Sequence, residues 1–223
     1  KNENIVFAAV PNGTGNDFHR MLGEFDPEKF VASLQQFKAN KIDLCRIETD
    51  SGGYFCINIG GCGFDGFVVD VLNRQRYKLG IKGKGSYVLA IMRTFGLYRK
   101  PKVIIRSEEF NYKGKMLMIA ACNGSTFGHG LVIHPKATLN SGYLGVTLLQ
   151  DVSLIDYVRN LSKLKRGKQI KHPEAKYFKT KKITVRAETN SLYIQADGEP
   201  VGKKNETTFH LIPEAINLLN VDY

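Results

Sequence analysis

Residues 10–18 read Val-Pro-Asn-Gly-Thr-Gly-Asn-Asp-Phe. Residues 4–10, which end on Val10, are mostly apolar and read as a short buried strand. Proline and two glycines cannot continue a strand, so a tight loop comes next. Residues 16–22 then read as one or two helical turns. A strand that ends in a glycine loop ahead of a helix presents free backbone N–H groups to an anion. Gly13, Thr14, Gly15 and Asn16 are therefore candidate phosphate-binding residues, and Asp17 adds a carboxylate able to face a metal. No Gly-Lys-Ser/Thr completes the loop, so this is not a Walker A loop. The competing reading is an ordinary strand-to-helix turn capped by Thr14 or Asn16.

Further along, Asp26-Pro27-Glu28 starts a helix, with Asp26 as N-cap and proline in the first position. Its apolar face is Phe30, Val31, Leu34 and Phe37, and its end is expected near Asn40. Residues 42–48 alternate and residues 54–59 are apolar, two strands joined by a turn at 50–53. Gly60, Gly61 and Gly63 are expected to break the second strand. Phe64, Phe67, Val68, Val71 and Leu72 recur at helical spacing, and Ser86 can cap another helix carrying Tyr87, Ala90, Ile91 and Phe95. Strands are expected at 102–107 and 115–122 around a hairpin turn at 111–114. Others are expected at 145–149, 182–186, 191–195 and 207–212, with an amphipathic helix over 151–165. Regular βαβ alternation is lost after residue 40, so the fold class is α+β: many strands with inserted helices.

The chain has 223 residues, 43% hydrophobic and 24% charged, which excludes a disordered tail, a collagen and a disulfide knot. The longest unbroken apolar stretch is residues 116–122, against the roughly 20 that a spanning helix needs. Cys45, Cys56, Cys62 and Cys122 form no CxxC pair, and three lie in apolar stretches. They read as small core hydrophobes of a reduced cytoplasmic protein. The net charge is +11. Nine Lys or Arg and one acid, Glu174, lie between Lys163 and Lys182. A second basic group, Arg93, Arg99, Lys100, Lys102 and Arg106, surrounds a helix-to-strand junction. Such a field attracts polyanions, whether nucleic acid, nucleotide phosphates or an anionic bilayer surface; the competing reading is a merely solvated basic face. Only Tyr177 and Phe178 interleave the longer run, too few aromatics for a nucleic-acid stacking platform.

Gly61-Cys62-Gly63-Phe64-Asp65-Gly66 matches the dinucleotide-binding GxGxxG pattern. The ribose-binding acid should lie ~20 residues further on, but no Asp or Glu occurs between Asp70 and Glu108. The better reading is a glycine-rich turn that places Asp65 at a helix start. Asp197-Gly198-Glu199 reads as a hairpin turn, or as a carboxylate pair at a strand end with Asp197 as a base. The five histidines show no ligand spacing, and no GxSxG elbow offers a hydrolase nucleophile.

In series, residues 11–20 (PNGTGNDFHR), 61–65 (GCGFD), Asn123-Gly124 with 128–135, and 197–199 resemble the diacylglycerol kinase catalytic family, the bacterial lipid kinases related to sphingosine kinases. The resemblance implies an α/β nucleotide-binding domain and, after it, a β-sandwich that carries the lipid site. Residues 1–40 would be a remnant of the first and residues 41–223 the second. The family's upstream Gly-Gly-Asp-Gly-Thr loop has no counterpart here, so the chain is expected to be a fragment. The strand at residues 4–10 would then lack neighbours, and an exposed strand edge promotes association, so a homo-oligomer is also an expectation. At residues 140–142 the family commonly carries an Asp that binds a structural magnesium. Ser141 stands there instead, a poor ligand for a hard dication.

The implied activity is ATP-dependent phosphorylation of a lipid hydroxyl, first of all diacylglycerol, at an anionic membrane surface. Gly13, Thr14, Gly15 and Asn16 would hold the nucleotide, Asp17 and Asp65 would orient Mg²⁺, Asp197 would take the hydroxyl proton and Glu199 would support it. The protein would be cytoplasmic and peripherally membrane-bound. A non-catalytic lipid- or polyanion-binding β-domain and an NAD kinase relative are the alternatives.

Overall fold

The computed structural model describes residues 5–13, 15–79, 94 and 96–221. Two sheets and three helices make up most of it. The first sheet runs in the order β3 (Gly52–Cys56), β2 (Ala39–Thr49), β15 (Glu206–Leu219), β12 (Lys182–Thr189), β5 (Lys102–Arg106), β6 (Asn111–Lys115). Beside the far end of β15, β1 (Val6–Phe7) pairs in parallel. The second sheet runs β11 (Ala175–Thr180), β10 (Leu144–Leu149), β7 (Met118–Cys122), β4 (Ile59–Gly63), β13 (Leu192–Ala196), β14 (Glu199–Lys204). A small ribbon joins β8 (Thr126–Phe127) to β9 (Leu131–Val132). The helices are α1 (Pro27–Gln36), α2 (Phe64–Leu79) and α3 (Leu154–Lys165).

Residue pattern explains the layering. In β5 and β12 inward residues alternate with exposed ones, so the first sheet keeps one wet face. Its inner side chains, among them Ile47, Ile105, Val185 and Phe209, meet Ile119, Val146, Leu148 and Ile194 of the second sheet in one buried core. In β7 and β10 every residue is buried. Met118, Ala120 and Cys122 face away from the first sheet into a second core, against Phe64 and Val68 of α2 and Tyr157 and Leu164 of α3. The molecule is thus sheet on sheet with helices on the outer face, a β-sandwich with inserted helices as expected. The helix cap expectations also hold at α1, where the Asp26 carboxylate accepts from the amides of Glu28 and Lys29.

Four sequence expectations change. The strand expected over residues 4–10 is only two residues long within the described part, and Ile5, Phe7 and Val10 are 49%, 51% and 55% exposed. Its backbone finds β15, but no described layer covers its side chains. Gly60, Gly61 and Gly63 do not break a strand; they are β4, at the buried centre of the second sheet. A Cβ on Gly60 would lie 2.9 Å from Ile47 Cδ1, so only bare backbone fits. The β5–β6 turn lies at residues 107–110, where Ser107 Oγ accepts from Phe110 N, and residues 111–114 are strand. Finally, α1 stops at Gln36, with Phe37 in the left-handed region (φ 53°), and Val31, Leu34 and Phe37 of its expected apolar face are exposed. The helix expected from Ser86, with Tyr87, Ala90, Ile91 and Phe95, lies outside the described residues except for a helical stretch at Thr94, Gly96 and Leu97.

Candidate functional site

A cleft of about 740 Å³ opens beside the outer face of the second sheet. Its lining combines polar residues, among them Gly13, Gly15, Asn16, Asp17, Asn58, Asp197 and Glu199, with apolar ones that include Phe64, Val68, Val69, Leu72, Leu131 and Tyr157. Asp65 and Gln195 also line it. The carboxylates at 17, 65, 197 and 199, picked from separate parts of the sequence, therefore reach one cleft. Of the expected nucleotide-binding residues Gly13, Gly15 and Asn16 line it too, while Thr14 lies outside the described residues.

The glycine loop closes on itself. Gly13 N donates to Asn16 Oδ1 at 2.7 Å, and Arg20 Nε donates to Gly15 O at 3.0 Å. The loop leads into a three-residue 3-10 turn, His19–Met21, rather than a regular helix. The expected helix-end field is thus weak here, because few aligned peptides stand behind the loop.

Asp17 joins this loop to the segment that carries Gly128. Its Oδ2 accepts from His129 N at 2.9 Å and its Oδ1 from Gly130 N at 2.7 Å. Gly128, His129 and Gly130 are all left-handed, with φ of 59°, 66° and 94°. Consecutive turns of this kind aim their amides into an anion-binding concavity. Here the protein's own Asp17 fills it.

Asp197 sits on the β13–β14 turn, left-handed at φ 48°. The residue is exposed, but its carboxylate turns inward onto the bend between β3 and β4. Ile57 N, Asn58 N and Ile59 N donate to it at 2.7, 3.0 and 2.9 Å. Burial of the carboxylate pushes its pKa up, and the three amides pull it back; the net shift is upward. An ionised carboxylate offers about four acceptor positions, so one remains for a hydroxyl. Glu199, exposed at the cleft's rim, opens β14.

Asp65 is different. It starts α2 and is 7% exposed. Oδ2 accepts from Gln195 Nε2 at 3.2 Å, whereas Oδ1 is buried and makes no hydrogen bond. Burial raises its pKa to about 7, against the opposing pull of Gln195 and of the amides of Gly66 and Asp65. A Cβ on Gly61 would clash with Asp65 Oδ2, only 1.9 Å away. The glycine makes room for the carboxyl, where the sequence alone suggests a part in turn formation.

Two contributors, Gln195 and Asn58, escape the sequence reading, and a third, Asn123, enters it only as part of the resemblance, with no role. Gln195 holds Asp65 with its nitrogen and the Asp197 turn with its oxygen, which accepts from Gly198 N at 2.9 Å. Asn123 Nδ2 donates to Asp43 O and Ile57 O, at 2.9 and 2.7 Å, and so fixes the bend that grips Asp197. Asn58 donates from its side chain to Thr126 O at 2.8 Å. No local signal marks Gln195, since a glutamine in an alternating strand reads as a surface residue.

Among the described residues, no group of three or more His, Cys, Asp or Glu stands close enough to hold a metal. A nucleotide-borne magnesium needs only one or two carboxylates, since phosphate and water fill the rest of its shell. Asp17, with lone pairs beyond those its two amides take, fits that demand. Asp65 fits it less well. Magnesium sheds water reluctantly, and the Asp65 carboxyl is buried. The structural magnesium implied at residues 140–142 does not fit. Ser141 Oγ bonds within the loop to Tyr143, and the two Asp43 oxygens hold Gly142 N and Glu214 N, at 2.8 and 3.0 Å.

The model of the YegS C-terminal NAD kinase beta sandwich-like domain matches residues 59–220. A protein of Xanthomonas euvesicatoria pv. vesicatoria (strain 85-10) named "Probable lipid kinase YegS-like" is 28% identical over 64% of this chain and 46% of its own length. A protein of Mycobacterium tuberculosis named "Diacylglycerol kinase" is 26% identical over 87% of this chain and 63% of its own. A solved structure of a diacylglycerol kinase from Bacillus anthracis str. Sterne superposes with TM-score 0.63 at 15% identity, covering 96% of this chain and 66% of that one. The chain thus spans about half the length of the first of these curated relatives.

Proposed function

The chain belongs to the family of YegS C-terminal NAD kinase beta sandwich-like domains, and on that premise we propose that it is the substrate-holding part of an ATP-dependent lipid kinase. The observation that carries this reading is that acidic and glycine-rich residues line one cleft together with apolar side chains of α2. A lipid alcohol likewise joins a polar head to an apolar chain.

Phosphoryl transfer asks mainly for positioning and charge neutralisation. In this proposal an acyl chain lies along Phe64, Val68, Val69 and Leu72, and the lipid hydroxyl meets Asp197. The fourth acceptor position of Asp197 takes the hydroxyl proton. The hydroxyl oxygen bonds to the γ-phosphorus as the bond to the bridging oxygen breaks, and ADP leaves. The three amides at residues 57–59 hold the carboxylate in place, so no reorganisation is needed at that moment. Glu199 lines the same cleft, and Gly13, Thr14, Gly15 and Asn16 face the nucleotide. Asp17 would hold the magnesium that a nucleotide carries; bound there, the ion neutralises phosphate charge.

All nine basic residues between Lys163 and Lys182 are exposed. This supports contact with an anionic leaflet, where each basic residue adds about 1 kcal/mol. No described helix is long and apolar enough to cross a membrane.

The test is full-length protein with ATP and magnesium, offered diacylglycerol, other lipid alcohols in mixed micelles, and NAD. Formation of a lipid phosphate is the expected result. Phosphorylation of NAD alone, or of nothing, overturns the proposal in favour of an NAD kinase relative or a non-catalytic lipid-binding domain.

A further inference from the structure

The carboxyl of Asp65 is the feature that the proposed reaction leaves unused. It is buried and lines the same cleft as Asp197 and Phe64. Among the described residues it has no ion-pair partner. Its one side-chain hydrogen bond is from Gln195; the Gly66 and Asp65 amides draw on the carboxyl, but neither meets Oδ1 at hydrogen-bond geometry. Buried polar oxygens are normally hydrogen-bonded, and one left without a donor costs stability. Such an atom calls for an explanation in strain, in a catalytic role, or in a water, ion or ligand that supplies the missing partner; its place on the cleft points to a ligand.

The orientation of this oxygen is fixed from three sides. Gln195 cannot swing away, because its own oxygen accepts from Gly198 N. Gly61 admits the carboxyl only because it lacks a Cβ. Gly66 lets α2 approach β13 so closely that a Cβ there would lie 2.2 Å from Tyr193 O. The helix start, and Asp65 with it, is therefore seated against the sheet that carries Gln195. Through Gln195, this carboxyl and the Asp197 turn share one rigid amide.

We propose that Asp65 is a specificity residue which, as the ionised carboxylate, accepts at Oδ1 a hydrogen bond from a second donor on the head of the lipid, next to the hydroxyl that is phosphorylated. This rests on the lipid-kinase reading and narrows its substrate to lipid alcohols with a second hydroxyl or an ammonium on the head. Diacylglycerol has one hydroxyl and no further donor, so it leaves the buried oxygen unpaired. A site built to bond a substrate donor discriminates strongly against the analogue that lacks it.

Two measurements on the full-length protein test this. The first compares kcat/KM for monooleoylglycerol, sphingosine and dioleoylglycerol in the same micelles, in wild type and in Asp65→Asn. The account expects at least one of the two double-donor alcohols to be preferred over dioleoylglycerol by about 10-fold or more, and that ratio to collapse toward one in the variant. Preference for the glycerol or for the amino alcohol tells whether the second donor is a hydroxyl or an ammonium. Turnover without preference, or a preference that survives Asp65→Asn, overturns the inference while leaving the kinase reading intact. The second measurement follows the Gln195 side-chain amide by NMR during titration with monooctanoylglycerol, octylamino alcohol and dioctanoylglycerol. A shift induced by either double-donor probe but not by dioctanoylglycerol supports the inference even if no lipid is phosphorylated. Equal shifts with all three, or none, overturn it.

Discussion

Gln195 donates from Nε2 to Asp65 Oδ2 at 3.2 Å, which ties the last third of the chain to the start of α2 across 130 residues of sequence. The same amide accepts from Gly198 N with its oxygen. A single buried side chain thus spaces the two carboxyls that face the cleft from the helix and from the β13–β14 turn.

The buried Asp65 sets a pH dependence. Its folded pKa, about 7, is raised above the unfolded value of 3.8. Below pH 4 both states hold the proton and the residue makes no difference. Between pH 4 and pH 7 the unfolded chain ionises while the folded one does not, so stability falls as pH rises, and it levels off above pH 7. The full span is on the order of 4 kcal/mol. Urea unfolding from pH 4 to pH 8 should show this slope in wild type and a flatter profile in Asp65→Asn. Superimposable profiles would refute the assignment.

The close seat of α2 makes Gly66 a sensitive position. Its Cβ would meet backbone, Tyr193 O at 2.2 Å and Tyr193 C at 2.6 Å, which cannot swing aside. Gly66→Ala should lower stability by about 2 kcal/mol or more, since overpacked sites relax only by moving backbone. A thermal midpoint equal to wild type would show that the helix has room that the structure denies it.

Asp17 should behave as a clamp. Asp17→Ala removes the acceptor from the amides of His129 and Gly130, in a turn of three left-handed residues. Hydrogen exchange at these two amides should quicken by roughly 10-fold or more, with core strands β7 and β10 unaffected. Unchanged exchange would mean that the turn holds without its carboxylate.

Much of the fold and of the site is legible in the sequence, for physical reasons that can be named. Asp65 after a glycine run announces a helix start, and Asp197-Gly198 announces a turn, because both depend on local backbone chemistry. Gln195 is not legible. A glutamine in an alternating strand reads as a surface residue, and it is buried only because helices cover the outer face of the second sheet. Gly60 and Gly61 mislead for the same kind of reason. Glycine reads as a breaker until the neighbours it makes room for, Ile47 and Asp65, are known. The Asn111-to-Gly114 stretch has turn chemistry, yet Ser107 closes the real turn with a bond to Phe110 that spacing alone cannot reveal. The strand before the glycine loop is recognisable by its apolar residues, but their burial depends on a covering layer that no single segment encodes.

The most direct test of the central claim is Asp197→Asn in the full-length protein. The asparagine keeps one oxygen to accept from Asn58 N and Ile59 N but turns its NH2 against Ile57 N, so its thermal midpoint should fall; in variant protein still folded by circular dichroism, lipid phosphorylation should fall by about 100-fold or more. Lipid phosphorylation by this variant at the wild-type rate would contradict the account.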